Sequence, residues 1–348
     1  MPDAGAAKLP TAASAAPNDF SDFDRLLEKP ASRVAAPSAS GVEDPRAMRS
    51  DPPSAPQTLE LATAPHDHGP PTWGDFRAGW NAGIYQDPVL CAVLAGLVLG
   101  PLGIFVVLRR AVFVTAAISQ SAALGVALAL LFEVQASLSV PPVAGAIVLA
   151  LLTTAVLAAR PERVHLPRET ALGFAYVAAS AAALLAGDRI TQEAHDISAI
   201  LFGTAVLVRP LDLGLVAAIG IAVVLALFLS YRGLVFAGFD AEGARVHGLP
   251  VQGLELLLWV LVALEVAVTT RALGALPVFA LAVLPAMAAL GLVERLKSAF
   301  FVAAVCGGAA GALGYLFAFF FEFPVGASQA AVATLLFLGA LGLARVLR

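Results

Sequence analysis

The chain has 348 residues, of which 59% are hydrophobic and 13% charged. A soluble globular protein carries roughly 45–50% apolar and about 25% charged residues. This composition excludes a soluble enzyme, a nucleic-acid binder and a disordered chain, and indicates a polytopic helical membrane protein. The formal net charge of −4 belongs to the N-terminal region: residues 1–80 carry seven Lys/Arg and eleven Asp/Glu, and residues 81–348 carry fourteen of each. Cys91 and Cys306 sit inside apolar runs and form neither a metal-ligand spacing nor a disulfide framework.

Residues 1–72 hold twelve of the 23 prolines. Stretches such as Pro52-Pro53-Ser54-Ala55-Pro56 lack the apolar mass to offset the entropy of ordering, so this segment is expected to be a disordered, acidic tail. It has no basic start followed by an apolar stretch, so it does not read as a signal peptide. Phe20 to Leu27 could form a helical turn on a partner; a solvated linker is the simpler expectation. Trp73, Phe76, Trp80 and Tyr85 then form an interfacial aromatic belt.

Uncharged runs follow at 88–108, 111–132, 136–159, 170–187, 213–231, 272–293, 298–321 and 323–344. About 20 apolar residues span a hydrocarbon core of ~30 Å. Segment 256–270 is apolar but contains Glu265, which makes nine candidate spans. The short run 197–208 is expected to be re-entrant or interfacial. The fold class is therefore all-α, a polytopic bundle of about 8–9 transmembrane helices (residues 73–348) behind a disordered tail (1–72).

Loop charges orient the bundle. Arg109, Arg110, Arg160, Arg163, Arg168, Arg232, Arg245, Arg295, Lys297, Arg345 and Arg348 fall on one side, and only Arg189, Arg209 and Arg271 on the other. The positive-inside rule makes the first side cytoplasmic. Gly96 and Gly100, and Gly307 and Gly311, have the small-residue spacing that lets helices approach closely in lipid. Pro277 and Pro285 fall within one run and are expected to break or bend that helix, as helices lining a cavity do.

The segment Phe239-Asp240-Ala241-Glu242-Gly243-Ala244-Arg245-Val246-His247-Gly248 lies on the cytoplasmic side. Asp240, Ala244 and Gly248 are four apart and share one face of a short helix, with Asp240 able to cap its start. A partner surface could approach the small Ala244 and Gly248; an ordinary capped loop helix is the alternative.

At this point the chain resembles the membrane-spanning permease of ABC importers for zinc, manganese or iron. Gly100-Pro101-Leu102-Gly103-Ile104-Phe105-Val106-Val107-Leu108-Arg109-Arg110 is similar to the end of that family's first helix. Leu201-Phe202-Gly203 followed by Asp212 is similar to its mid-chain signature, and Phe239-Asp240 with Ala244 and Gly248 to its coupling helix. Gly274-Ala275-Leu276 with Leu284-Pro285-Ala286 resembles its late broken helix, and Phe323-Pro324-Val325-Gly326 its last outward loop. The likeness runs from about residue 84 to 346 and leaves the tail outside.

The resemblance implies two permease copies flanking a path, an extracytoplasmic substrate-binding protein, and a cytoplasmic ATP-binding subunit gripping Phe239, Asp240, Ala244 and Gly248. It also implies the inner (cytoplasmic) membrane as the site of action. The chain has no Gly-x-x-x-x-Gly-Lys-Ser/Thr loop, so ATP would act in the partner subunit and no catalytic residue is expected here.

One departure is specific. The family's second helix carries an Asp and, four residues later, a His, a spacing suited to a divalent cation. The matching positions here are Ala116 and Gln120, so that ligand pair is not carried over and no metal ligand is assigned. Ser119, Gln120 and Glu265 are the candidates for the translocation path. Glu265 is an acid inside a span, where a carboxylate is costly and usually faces a path or a partner; pairing with Arg271, Gln120 or a serine is the alternative.

His195-Asp196 could meet an arriving cation or cap a helix. His66-Asp67-His68 is expected to be solvated, as are His165 and His247, and Glu133 is interfacial. The expectation is a permease importing a divalent metal, zinc or manganese, with no cofactor bound directly. Two alternatives stay open: a permease for a metal chelate or cobalamin-like cofactor, and an ion-coupled secondary transporter.

Overall fold

The computed structural model describes residues 71–136, 140–158, 168–190 and 208–347. The described part is all-helical, with eleven helices: α1 Trp73–Asn81, α2 Gln86–Leu108, α3 Val112–Ala136, α4 Pro142–Ala158, α5 Arg168–Asp188, α6 Pro210–Phe239, α7 Ala241–Val246, α8 Val251–Leu273, α9 Ala275–Leu292, α10 Leu296–Phe321 and α11 Val325–Leu347. The tail through residue 70, the short run up to residue 207 and the Leu201-Phe202-Gly203 signature lie outside the described residues, as do His66, Asp67, His68, His165, His195 and Asp196.

Eight helices (α2, α3, α5, α6, α8, α9, α10 and α11) are long and apolar enough to cross a membrane. The ninth, α4, has 17 residues and a length of about 25 Å at 1.5 Å per residue. The run expected at 136–159 is thus a short helix at the lower limit of a span. The run at 213–231 is instead extended at both ends. Pro210 starts α6 at its first turn, where a missing N–H costs nothing, and no breaker intervenes before Asp240. At 30 residues α6 is about 45 Å long, so it carries Arg232 and Phe239 beyond a ~30 Å core.

Runs 256–270 and 272–293 are divided at Gly274. Its φ of 96° is open to glycine, and it ends α8 and starts α9 in a single residue. The interruption thus falls at Gly274 and not at either proline. Pro277 lies in the first turn of α9, where no intrahelical donor is lost. Pro285 lies inside a helix that continues to Leu292.

The bundle centre consists of α2, α3, α8 and α9, while α5, α6 and α11 turn most of their surface outward. α2 packs on α10, α9 and α6, α3 on α4 and α5, and α8 on α6, α4 and α3. The close contact of α2 with α10 follows from glycine. A Cβ at Gly96 would overlap the Gly307 carbonyl, one at Gly100 the Ala303 carbonyl, and one at Gly311 the Ala92 carbonyl. Gly125 and Gly145 join α3 to α4 in the same reciprocal way. Outward faces carry large apolar side chains such as Phe174, Phe228 and Leu229, as expected of surfaces in lipid.

The aromatic belt is a helix. Thr72 and Asp75 form a capping box at the start of α1. Its rings meet the far end of α10: Trp73 lies 4.5 Å from Phe320, and Phe76 5.2 Å from Phe319, between ring centroids. Tyr85 stacks on Phe76 at 5.6 Å. α1 therefore sits at the end of the bundle opposite Arg295 and Lys297, which open α10.

Candidate functional site

Among the described residues, the candidates named from the sequence fall in two places: the turn after α6, and the interior positions of α3 and α8. In the first, Asp240 accepts a hydrogen bond from the Gly243 N–H at 2.8 Å and so starts α7. α7 ends at Val246, and Gly248 beyond it has φ 78°. Gly248 therefore belongs to the turn and not to the helix face it was expected to share with Asp240 and Ala244.

Ala244 also departs from expectation. It is fully buried and packs with Ala237 and Val251, flanked by Phe236, Leu249 and Leu254. It pins α7 to the ends of α6 and α8 and presents nothing outward. The outward surface is made by Phe239, 72% exposed, and Val246, 86% exposed, with Asp240, Glu242, Arg245 and Gly248 around them. Two large apolar side chains are thus exposed beside charges in this turn. His247 is exposed, but its Nδ1 bonds the Gly243 carbonyl at 2.8 Å and its ring lies edge-on to Phe236.

In the interior, Ala116 is buried and cannot ligate. Ser119 donates its hydroxyl to the Ala116 carbonyl at 2.9 Å, and Ser121 to Ala117 at 2.9 Å. Both hydroxyls close back on α3, the usual fate of serine within a helix. The Oε1 of Gln120 and the Oγ1 of Thr115 are buried without a hydrogen-bond partner among the described residues.

Glu265 is 0% exposed, and neither carboxylate oxygen has a hydrogen-bond partner among the described residues. The alternative pairings with Arg271, Gln120 or a serine are thus not formed. The side chain faces α6 at Gly220. A Cβ there would stand 3.8 and 3.9 Å from the two carboxylate oxygens and 3.1 Å from a Val98 methyl of α2. Thr269 donates to the Glu265 carbonyl at 2.5 Å and so is spent on the backbone. A buried, ionised carboxylate without a partner would cost several kcal/mol. Among the described residues no three His, Cys, Asp or Glu side chains converge to hold a metal ion.

Asp212 was seen in the sequence only as part of a signature; its burial, Gly220, Ser328 and Gln329 were not foreseen. Asp212 is buried in the first turn of α6, and Gly220 lies beside Glu265. Ser328 and Gln329 are buried in α11 with unpartnered polar atoms, Gln329 against Gly314 of α10. A lone amide in the apolar run 323–344 carried the same signal as Glu265; Gly220 carried none.

The description of the ABC 3 transport family matches residues 82–344. The manganese transport system membrane protein MntC of Halalkalibacterium halodurans is 29% identical over 252 residues, 72% of this chain and 84% of its own. The manganese import system permease protein ScaB of Streptococcus gordonii is 25% identical, over 73% and 88%. Among solved structures, PsaBC from Streptococcus pneumoniae in complex with Fab is similar with a TM-score of 0.68 and 26% identity, covering 77% of this chain and 95% of that one.

Proposed function

Because the chain belongs to the ABC 3 transport family, we propose that it is the membrane-spanning permease subunit of an ATP-driven importer of a divalent metal ion, manganese or zinc. The observation that carries this reading is the family match across 82–344, which takes in nearly the whole bundle from α2 to α11. The names of the manganese relatives support the cargo.

The chain lacks a phosphate-cradling loop, so hydrolysis belongs to a separate cytoplasmic ATP-binding subunit. That subunit grips the surface of Phe239, Asp240 and Val246, which Ala244 anchors from beneath. Closure of two such subunits pulls on α7. Because α6 is long and joined to α7 through Asp240 alone, the pull reaches the face of α6 that adjoins Glu265. Two permease copies in the inner membrane flank the path, and an extracytoplasmic substrate-binding protein supplies the ion. Glu265 of α8 and Gln120 of α3 stand on the path. Ser119 holds its helix and does not contact cargo. Residues 73–348 form the permease domain, with 1–72 as an appendage.

Ala116 and Gln120 favour a second reading, in which the cargo is a metal chelate with its own ligands, since neither residue replaces an Asp and His pair. The ion-coupled carrier has no specific observation in its favour. The test is uptake of radiolabelled Mn2+ and Zn2+ by cells with and without this chain, each metal offered free or chelated. Uptake of the free ion that needs both this chain and a partner ATPase supports the first reading. Uptake of the chelate alone supports the second, and no dependence on the chain refutes both.

A further inference from the structure

α1 has nine residues, about 14 Å at the helical rise, and cannot cross a ~30 Å core. It is nonetheless held firmly to the bundle. A Cβ at Gly79 would overlap the Tyr85 ring, so the helix rests directly on that side chain. Gln86 Nε2 donates to the Trp80 carbonyl at 2.8 Å, and Trp73 and Phe76 meet Phe320 and Phe319 of α10. That end of α10 is the non-basic one, which the positive-inside rule makes extracytoplasmic. α1 is therefore fixed at the level of the outer headgroups, where short amphipathic helices lie along the interface.

α1 bears a groove of about 520 Å3 that Trp73, Gly74, Phe76, Arg77 and Trp80 line. Trp73, Phe76, Arg77 and Trp80 are spaced i, i+3, i+4 and i+7 and share one helix face. The volume is that of a small-molecule site, and its wall is three aromatic rings and one cation. Arg77 is exposed and has no ion pair or hydrogen bond among the described residues. The acid closest to it in the helix, Asp75, turns Oδ2 to the Thr72 N–H and hydroxyl, at 2.8 and 2.6 Å, and closes the helix start instead.

We infer that this groove seats a phospholipid of the outer leaflet, with Arg77 holding its phosphodiester and Trp73, Phe76 and Trp80 lining its glycerol and upper acyl chains. A guanidinium matches phosphate oxygens two at a time, and indole rings favour the depth at which headgroup gives way to chain. Basic pockets at a membrane face bind lipid headgroups by the same pairing. Phe321 and Phe323 at the same end of α10 are exposed too, so apolar surface continues where a protein contact would have a polar rim. The site requires the membrane setting of the bundle and not a particular cargo.

The chain has three tryptophans. Two line the groove, and the third, Trp259, is buried in α8. Lipid brominated on its upper chains quenches indole emission on contact, so the full-length chain in maltoside detergent is titrated with brominated phosphatidylglycerol and, separately, with diacylglycerol carrying the same chains. Phosphatidylglycerol should half-quench at about tenfold lower concentration than diacylglycerol. Arg77→Gln should raise that concentration to the diacylglycerol value, and Arg77→Lys should keep part of the preference. In the double variant Trp73→Phe, Trp80→Phe the remaining Trp259 emission should resist both lipids. Equal half-quenching by the two lipids, or a preference untouched by Arg77→Gln, overturns the inference. So does an Arg77→Gln chain that binds phosphatidylglycerol as the parent does but loses the substrate-binding protein, because the groove is then a protein contact.

Discussion

Gly220 of α6 lies against the Glu265 carboxylate of α8: a Cβ at 220 would stand 3.8 Å from Glu265 Oε2 and 3.1 Å from a Val98 methyl. The carboxylate there has no partner among the described residues. Removing its charge should relieve the cost of burying it. Glu265→Gln is therefore expected to keep or raise the melting temperature of the detergent-solubilised protein, while Mn2+ uptake falls about tenfold or more. A lowered melting temperature with proportionate loss of uptake would make Glu265 a structural residue.

Exposed Val246 and Phe239, in contrast to buried Ala244, divide the α7 segment into an outward surface and a buried anchor. Val246→Asp and Phe239→Asp should abolish co-purification of the ATP-binding subunit from a chain that still folds and inserts. Ala244→Arg should instead force a long charged side chain into the contact with Ala237 and Val251. Overpacking alone costs about 1–3 kcal/mol, and the buried charge adds to it. Size-exclusion profiles of the three variants distinguish these outcomes: only the arginine variant should aggregate.

How much of this was legible in the sequence depends on the range of the interaction. Helices of about 20 apolar residues and the acid within one of them are written locally, and both were found. Gly96 and Gly307 announced close packing by spacing, but that they meet each other is a long-range fact. The orientation of Ala244 was misread because a four-residue spacing defines a face without saying which way it points. Pro277 was misread as a break because a run of apolar residues hides the boundary at Gly274, where the helix in fact ends. Gly220 was invisible because its meaning comes only from a carboxylate 45 residues later in the chain.

The interlock of α2 with α10 predicts a reciprocal sensitivity. Gly96→Leu would drive a side chain into the Gly307 backbone, and Gly307→Leu into that of Gly96. Backbone cannot yield as a flexible side chain can, so each variant should lose at least about 1–3 kcal/mol of stability. Because both act on one contact, their effects should be far from additive in the double variant. Gly339→Leu, where nothing stands within 4 Å of a Cβ, serves as the control and should be near neutral. Thermal unfolding of the four proteins in one detergent checks this.

The placement of α1 against Phe319 and Phe320 ties the start of the bundle to one end of α10. α10 begins beside Arg295 and Lys297 and ends at Phe321, so the rings that Trp73 and Phe76 meet lie at its non-basic end. By the positive-inside rule that end is extracytoplasmic. Asn81 and Val346 are both exposed, Asn81 at the end of α1 and Val346 near the basic end of α11. Asn81→Cys should thus react with a membrane-impermeant maleimide added to intact cells whose outer barrier is opened. Val346→Cys should react only after the inner membrane is permeabilised. Cys91 is buried and Cys306 lies mid-helix, so the unmodified chain should stay unlabelled. The reverse pattern would invert the bundle and place the α7 surface out of reach of any cytoplasmic ATPase.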